Sequence, residues 1–257
     1  MKTFKLKNNI ELKVYNGIDE LPIVNFQKYN KYLLIDAGLG SDIESIDEHI
    51  IAIAKYINKD DKQKAIQELQ NMRQNMHLIN SEISPKYLAF ASLVHSINGE
   101  KITDYSDDGL KAILSRINHV SHVSLIEKLM EIKKKVSEEL ELYFPNDFSD
   151  VKEKEMYDML KRKIQLLLSE IINNTQYKTE LEEINDFMFK MHKPKSFVGS
   201  ESIEIKHDKQ FETTCTIISQ KTNLDAKVMT VLQFYSTLTD IKKQAEAEAK
   251  AYKKHRR

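Results

Sequence analysis

The chain has 257 residues, of which 41% are hydrophobic and 30% are charged. Lysine plus arginine and aspartate plus glutamate each number 39, so the formal net charge is zero. A balanced chain has no long-range electrostatic field that would attract nucleic acid or a membrane surface. A chain of this length is long enough to form one large domain or two small ones with a sizeable buried core.

Three further features of the composition narrow the structural class. Only six glycines and four prolines occur, which favours long helices because both residues weaken helix interiors. Cys215 is the single cysteine, so no disulfide can form within the chain. No apolar run has the length of a signal peptide core or a membrane span, which predicts a protein of the cytoplasm, or of a virion assembled there.

The N-terminal segment predicts a β-hairpin. Apolar and polar residues alternate from Phe4 to Val14, and Asn8 and Asn9 lie at the centre of this pattern as a turn. An isolated hairpin is only marginally stable in water. We therefore expect it to pack on helices or to join a larger sheet.

From Pro22 onward the spacing of apolar residues predicts helices. The first of them ends at Gly38 and Gly40, a pair that predicts a tight corner between two helices. The next two helices each carry one apolar stripe, formed by Ile43, Ile46, Ile50, Ile53 and Ile57 and by Ile66, Leu69, Met72, Met76 and Ile79. A fourth helix is predicted from Ser84 to the Asn98-Gly99 pair.

The whole pattern predicts a mainly α fold, a multi-helix bundle with a small N-terminal β-hairpin and a long C-terminal helix. Pro194, Gly199 and nearby serines mark the least helical interior stretch. The predicted domains are the hairpin at 1–16, a helical domain at 17–193, a linker at 194–206 and a C-terminal helical hairpin with a basic tail at 207–257.

No pattern in the sequence predicts a catalytic, cofactor-binding or metal site, and we expect no enzyme activity. His119 and His122 lie three residues apart, but two ligands are too few for a structural zinc ion. The aspartates before Gly109 lack the spacing of a calcium loop and favour helix capping. The Gly38-x-Gly40 turn lacks the lysine of a phosphate-binding loop.

Two sets of residues are candidates for contact with partners. The interface hypothesis combines aromatic side chains, which protein interfaces favour, with the glycine corner; its members are Phe26, Tyr29, Tyr32, Leu33, Gly38, Gly40, Phe234 and Tyr235. The basic tail consists of Lys253, Lys254, Arg256 and Arg257. The tail is interpreted either as a solvated helix end that matches the helix dipole, or as a contact for an acidic partner or packaged nucleic acid.

Several segments resemble structural-module proteins of tailed bacteriophages that infect Bacteroides-like bacteria. These segments are ELPIVNFQKYNKYLLIDAGLGSDIESIDEH at Glu20 to His49, NMRQN at Asn71 to Asn75, SPKYLAFASLVHSINGE at Ser84 to Glu100, and DDGL at Asp107 to Leu110. The segment LDAKVMTVLQFYSTLTDIKKQAE, which begins at Leu224, is similar to the end of small phage tail-morphogenesis proteins.

The resemblance implies a structural protein of the virion that acts through protein–protein contacts. A head–tail connector or ring subunit, or a tail component, is the expected role, with other phage structural proteins and further copies of the chain as partners. A tail-assembly chaperone that is absent from the mature virion is one alternative. A nucleic-acid accessory protein that uses the basic tail is another, and nucleic-acid contact is expected only there; no membrane partner is expected.

Overall fold

The computed structural model describes residues 1–6, 10–80, 84–117, 122–148, 151–191 and 195–255. This part of the chain is mainly α-helical, and the predicted fold class is confirmed, including the N-terminal hairpin and the long C-terminal helix. The helices are α1 (Ile23–Leu39), α2 (Ile43–Asn58), α3 (Lys62–Asn80), α4 (Pro85–Ser92), α5 (Asp107–Arg116), α6 (His122–Tyr143), α7 (Pro145–Phe148), α8 (Val151–Asn173), α9 (Lys178–Met191), α10 (Ile203–Thr222) and α11 (Val231–His255). The strands are β1 (Lys2–Lys5), β2 (Glu11–Val14), β3 (Val94–Ile97) and β4 (Glu100–Lys101).

The four strands form one antiparallel sheet in the order β1-β2-β3-β4. Strands β1 and β2 pair as predicted, with Phe4 opposite Leu12, while Asn8 and Asn9 of the predicted turn lie outside the described residues. Strand β3 continues the sheet, with Ile97 opposite Leu12. The hairpin therefore gains its stability from a third strand as well as from helices.

The predicted fourth helix is wrong beyond Ser92. The chain leaves α4 there and enters β3, because Val94 and Ile97 are β-branched and bury their side chains in the sheet. Asn98 and Gly99 both have positive φ, 52° and 83°, and they form the two-residue turn between β3 and β4. An Asn-Gly pair between strands is the strongest short-range signal of a hairpin, so these residues connect strands where a helix end was predicted.

Residues 1–140 and 195–257 form one compact unit. Its core contains α1 packed on α4, where Ala89, Phe90 and Ala91 are fully buried. Helix α6 contributes an apolar stripe, in steps of three or four residues, that consists of Leu125, Leu129, Ile132, Val136 and Leu140. The Glu139 carboxylate of α6 also accepts a hydrogen bond of 2.9 Å from the backbone N–H of Ile18.

The C-terminal helices are joined to the start of α1 by main-chain hydrogen bonds. The Ile23 N–H donates to the Met229 carbonyl, and the Val231 N–H donates to the Leu21 carbonyl, both at 2.9 Å. Helix α10 is held on α1 by an ion pair of 2.7 Å between Lys31 and Asp208. These contacts place the C-terminal helical hairpin against the aromatic side of α1.

Residues 141–194 form a second compact unit, which contains α7, α8 and α9. Leu166 of α8 and Ile184 of α9 are buried inside it. Arg162 and Glu180 form an ion pair of 2.9 Å between the same two helices. Apart from residue 194, this unit lies within the predicted 17–193 domain.

The predicted linker is partly helical. Ser202 caps α10 by accepting a hydrogen bond from the Ile205 N–H, so the helix begins inside the 194–206 segment. Phe197 is buried in the first unit. Only the part before Ser202 therefore remains irregular among the described linker residues.

We expect Gly40→Ala to lower the free energy of unfolding by about 1–3 kcal/mol or more. Gly40 has φ 70° and ψ 174°, a conformation that is open essentially to glycine alone, and a Cβ atom would also overlap the Ser45 side chain. Chemical denaturation would measure the loss. Gly99→Ala is the matched control because Gly99 also has positive φ but has open space around its Cα; an equal loss in both variants would contradict the steric part of this account.

Candidate interaction surfaces

The predicted aromatic interface lies in the interior of the first unit. Phe26 and Tyr29 are each 3% exposed, and their rings stack with centroids 6.0 Å apart. Tyr32 is also buried, and its hydroxyl donates to the Asp107 carboxylate at 2.8 Å. The structure therefore gives these three rings a role in the core, and a partner contact through them stays a prediction.

The remaining members of that set line the same core. Phe234 is buried, and Tyr235 meets the Phe26 ring edge-on at a centroid distance of 6.4 Å. Gly38 lies directly against the Phe197 ring, with no space for a larger side chain. Leu33 and Tyr235 are half-buried, as are the two glycines, so these members of the set keep some exposed surface.

The residues considered as candidates for catalytic or metal sites have structural roles where the structure describes them. The cap of α5 is Ser106, which accepts a hydrogen bond of 3.1 Å from the Gly109 N–H, whereas the predicted capping groups were the neighbouring aspartates. Cys215 is buried, and burial raises the pKa of its thiol. Within the described ranges, no three His, Cys, Asp or Glu side chains come close enough together to hold a metal ion.

Several predicted positions have no described side chain. His119, Arg256 and Arg257 lie outside the described residues, and the side chains of His122, Lys253 and Lys254 are not described either. Helix α11 is exposed on all sides from Lys242 to Ala251. The two interpretations of the basic tail therefore both stay predictions.

Helices α2 and α3 form an antiparallel hairpin whose inner seam is polar. Helix α2 buries His49 and Tyr56 against α3, and α3 buries Glu68, Asn71 and Asn75 against α2. Buried polar side chains require hydrogen-bond partners. Asn71 finds one within α3, where its amide oxygen accepts from Gln67 at 3.1 Å, and the contact between His49 and Glu68 links the two helices across the seam. This seam is where an amphipathic hairpin ordinarily places its apolar residues.

The centre of the seam is an ion pair between His49 and Glu68. The His49 Nδ1 atom lies 2.7 Å from the Glu68 carboxylate, and its Nε2 atom lies 3.0 Å from the Leu39 carbonyl oxygen at the end of α1. The Asn75 amide donates to the same carbonyl at 2.6 Å. Burial by itself would lower the pKa of His49, but the bonds to Glu68 and Leu39 raise it above its usual value.

The outer side of the hairpin is apolar and exposed. Ile43, Ile50 and Ile57 of α2 are 71%, 50% and 61% exposed, although each is a large hydrophobic residue. We call the following set the α2–α3 face: Ile43, Ile46, Ile50, Ile53 and Ile57 of α2, with Ile66, Leu69, Met72 and Met76 of α3. An exposed apolar surface of this kind marks a binding site more often than a solvated face.

Helix geometry places the two stripes of the α2–α3 face on one side of the hairpin. Successive residues turn by about 100° around a helix axis. The isoleucine stripe lies about a third of a turn beyond the buried His49 side of α2, and the α3 stripe lies about a quarter of a turn beyond the buried Glu68 side of α3. Both angles are measured in the direction of increasing residue number. Because the two helices are antiparallel, these rotations run in opposite directions in space and bring both stripes to the same side of the hairpin.

Helix α8 of the second unit carries another exposed stripe. We call it the α8 face, and its members are Met156, Leu160, Ile164, Leu167, Leu168, Ile171 and Ile172. Ile171 and Ile172 are 80% and 78% exposed, while Leu166 on the opposite side of the helix is buried. The second unit therefore uses one side of α8 for its own core and leaves the other side in contact with solvent.

One cavity lies beside the base of the α2–α3 hairpin. It has a volume of about 300 Å³, and its lining includes Asp42, Lys86 and Ile126. The Asp42 carboxylate accepts from the Ser45 N–H at the start of α2, and Lys86 forms an ion pair with Asp36. The charged groups of this cavity are thus already paired within the chain, and it offers a weaker binding argument than the two apolar faces.

The residue spacing predicts the apolar stripes of α2 and α3 but does not predict that they face outward. The signal was a second stripe on α2, Ser45, His49, Ala52 and Tyr56, which has the same spacing as the isoleucines. A polar stripe beside an apolar one is normally the solvated face.

No described helix is both long enough and apolar enough to span a membrane.

We expect Glu68→Gln to lower the free energy of unfolding by about 3–5 kcal/mol at pH 6, because it leaves the buried His49 imidazolium without its counter-charge. The native pKa of His49 is raised above the unfolded value of about 6.5. The ion pair therefore stabilises the fold fully below about pH 6.5, and its contribution is lost as pH rises through the native pKa of His49.

Denaturation of both proteins at a series of pH values would test this expectation. The difference between wild type and Glu68→Gln should shrink as pH rises, while Glu48→Gln, which changes an exposed carboxylate beside His49, should have a small effect throughout. A difference that stays constant or grows with pH would contradict the ion-pair account.

The comparisons with known proteins assign no family to this chain. No protein-family model matches it, and neither a curated protein nor a solved structure matches it. Its function is therefore inferred from its own surfaces, above all the α8 face and the α2–α3 face.

Proposed function

We propose that this chain is a structural protein of a tailed bacteriophage particle that acts through protein–protein contacts. A head–tail connector or ring subunit, or a tail component, is the role that we infer from the resemblance of its segments to phage structural modules. The expected partners are other structural proteins of the particle and further copies of the chain. Localisation in the virion follows from this role.

The observation that carries the proposal is the α8 face. Seven large apolar side chains occupy one side of a 23-residue helix, and Ile171 and Ile172 at its end are about four-fifths exposed. Exposed apolar stripes on helices are suited to the groove or helical surface of another protein. A chain that functioned alone would gain solubility if these positions were polar.

A tail-assembly chaperone is the alternative within the same class. Such a protein would cover apolar surface on an unassembled partner with the same α8 face and would leave before the particle is complete. The two roles differ in where the chain is found at the end of assembly. A subunit stays in the virion at a fixed ratio to its neighbours, and a chaperone does not.

Mass spectrometry of purified particles of the phage that encodes this chain tests the proposal. We expect the chain to be present at a fixed ratio to the other structural proteins. Its absence from particles, together with its binding to a tail protein in infected cells, would favour the chaperone. Absence from particles and from every complex with phage proteins would overturn both roles.

We expect the double variant Ile164→Glu and Ile171→Glu to reduce incorporation into particles at least about tenfold. Carboxylates on the α8 face would have to lose their hydration at a contact, and a single such loss exceeds the 1.4 kcal/mol that corresponds to a factor of ten. Because both side chains are already exposed, the helix content of the purified chain should not change.

The matched control is Asn173→Asp, which adds a carboxylate at an exposed polar position about half a turn around the same helix from Ile164 and Ile171. Its incorporation should equal that of the unmodified chain. Normal incorporation of the double variant would show that the α8 face does not contact the particle.

A further inference from the structure

The α2–α3 face has the pattern of one half of a four-helix bundle. Two antiparallel helices present apolar stripes side by side, and the stripe from Ile43 to Ile57 repeats in alternating steps of three and four residues. Helices with this repeat interlock by inserting each side chain between those of a facing helix. A second pair of helices with the same pattern would complete the bundle.

We propose that a second copy of this chain supplies that pair, so that two α2–α3 hairpins pack face to face about a two-fold axis parallel to their helices. The proposal deepens the assembly function, and it rests on that function in treating an exposed apolar stripe as a binding surface. Each α2 then lies over the α3 of the other copy, with the hairpin turns at the same end. A two-fold contact uses the same surface on both chains, so no further partner is needed to cover it.

The charges along the two edges of the face favour a second copy. Near its start the outer edge of α2 carries Glu44 and Asp47, and the part of the outer edge of α3 at the same level carries Arg73 and His77, all exposed. In the two-fold arrangement the acidic edge of each α2 lies beside the basic edge of the other copy's α3. Opposite charges at the rim of an apolar contact favour this pairing over the alternatives.

The heights of these charges along the hairpin also agree. His49 contacts Glu68, and Lys64 lies over the Tyr56 ring, so residues of α2 and α3 whose numbers add to about 117–120 lie at one level. Glu44 therefore lies level with the helical turn that contains Arg73. A two-fold axis parallel to the helices preserves height, so it brings these two opposite charges together across the contact.

The size of the face is sufficient for a specific contact. Helix α2 has 16 residues and is about 24 Å long, and two helices about 10 Å apart form a face about 20 Å wide. Two such faces would bury about 1,000 Å² in total, which is near the lower bound for a specific interface. The nine apolar side chains of the face make its centre largely free of charge, as in the cores of dimer contacts.

Sedimentation of the purified full-length chain tests the proposal. We expect a dimer with twice the monomer mass of 30.0 kDa at micromolar concentration. Ile50→Glu, which places a carboxylate in the centre of the face, should raise the dissociation constant at least about 30-fold. A chain that is monomeric throughout, or a dimer that Ile50→Glu leaves intact, would overturn the proposal.

Ile51→Glu is the matched control. Ile51 follows Ile50 on the same helix and is 56% exposed, but it lies about 100° around the axis and outside the face. This variant should remain dimeric, and both variants should keep the helix content of the unmodified chain. Loss of the dimer in both would place the contact on another side of α2.

Exchange of the edge charges tests the identity and orientation of the partner. Asp47→Arg and Arg73→Asp should each weaken the dimer, because each places like charges at the two edges that meet. The double variant should recover most of the lost affinity, since the charges are again opposite. Failure of the double variant to recover would contradict the two-fold arrangement described above.

The outcomes separate this inference from the proposed function. A monomeric chain that is nevertheless incorporated into particles would refute the self-association and leave the assembly function in place. A chain that dimerises but is absent from every phage complex would support the self-association and refute the assembly function.

Discussion

The ion pair between His49 and Glu68 is the contact on which the outer surface of the α2–α3 hairpin depends. It lies in a seam with Asn71 and Asn75, and it also binds the carbonyl at the end of α1 through His49. Polar side chains that are buried together must keep their partners, so neither helix can turn without a large loss of free energy. The isoleucines of α2 are therefore held on the outside.

The sequence predicted which elements form more successfully than it predicted which side each of them buries. The alternation around Phe4 and Val14 correctly indicated a hairpin, and the isoleucine spacing correctly indicated α2. The spacing did not indicate which way the stripe of Ile50 and its neighbours faces; it faces outward because the preceding residue, His49, has a buried acidic partner 19 positions away. Periodicity reports that a helix has two different sides, while contacts between distant residues decide which side is covered.

Two other differences have a similar cause. Asn98 and Gly99 are compatible with the end of a helix and with a turn between strands. They form the turn because Ile97 pairs with Leu12, which lies far away in the chain. The aromatic residues around Phe26 have the composition of an interface, and a partner contact through them stays a prediction. They are core residues because the C-terminal helices, which begin almost 180 positions later, pack over them.

The polar seam also has a consequence for the choice between alternative structures of the hairpin. If the seam were leucine and isoleucine, each helix would have two apolar sides of similar area, and turning both helices would give a hairpin of nearly equal energy with different residues outside. One sequence would then populate a mixture of conformers. The ion pair between His49 and Glu68 can form in only one of these arrangements, so the seam sacrifices hydrophobic stabilisation and selects a single geometry for the surface presented to solvent.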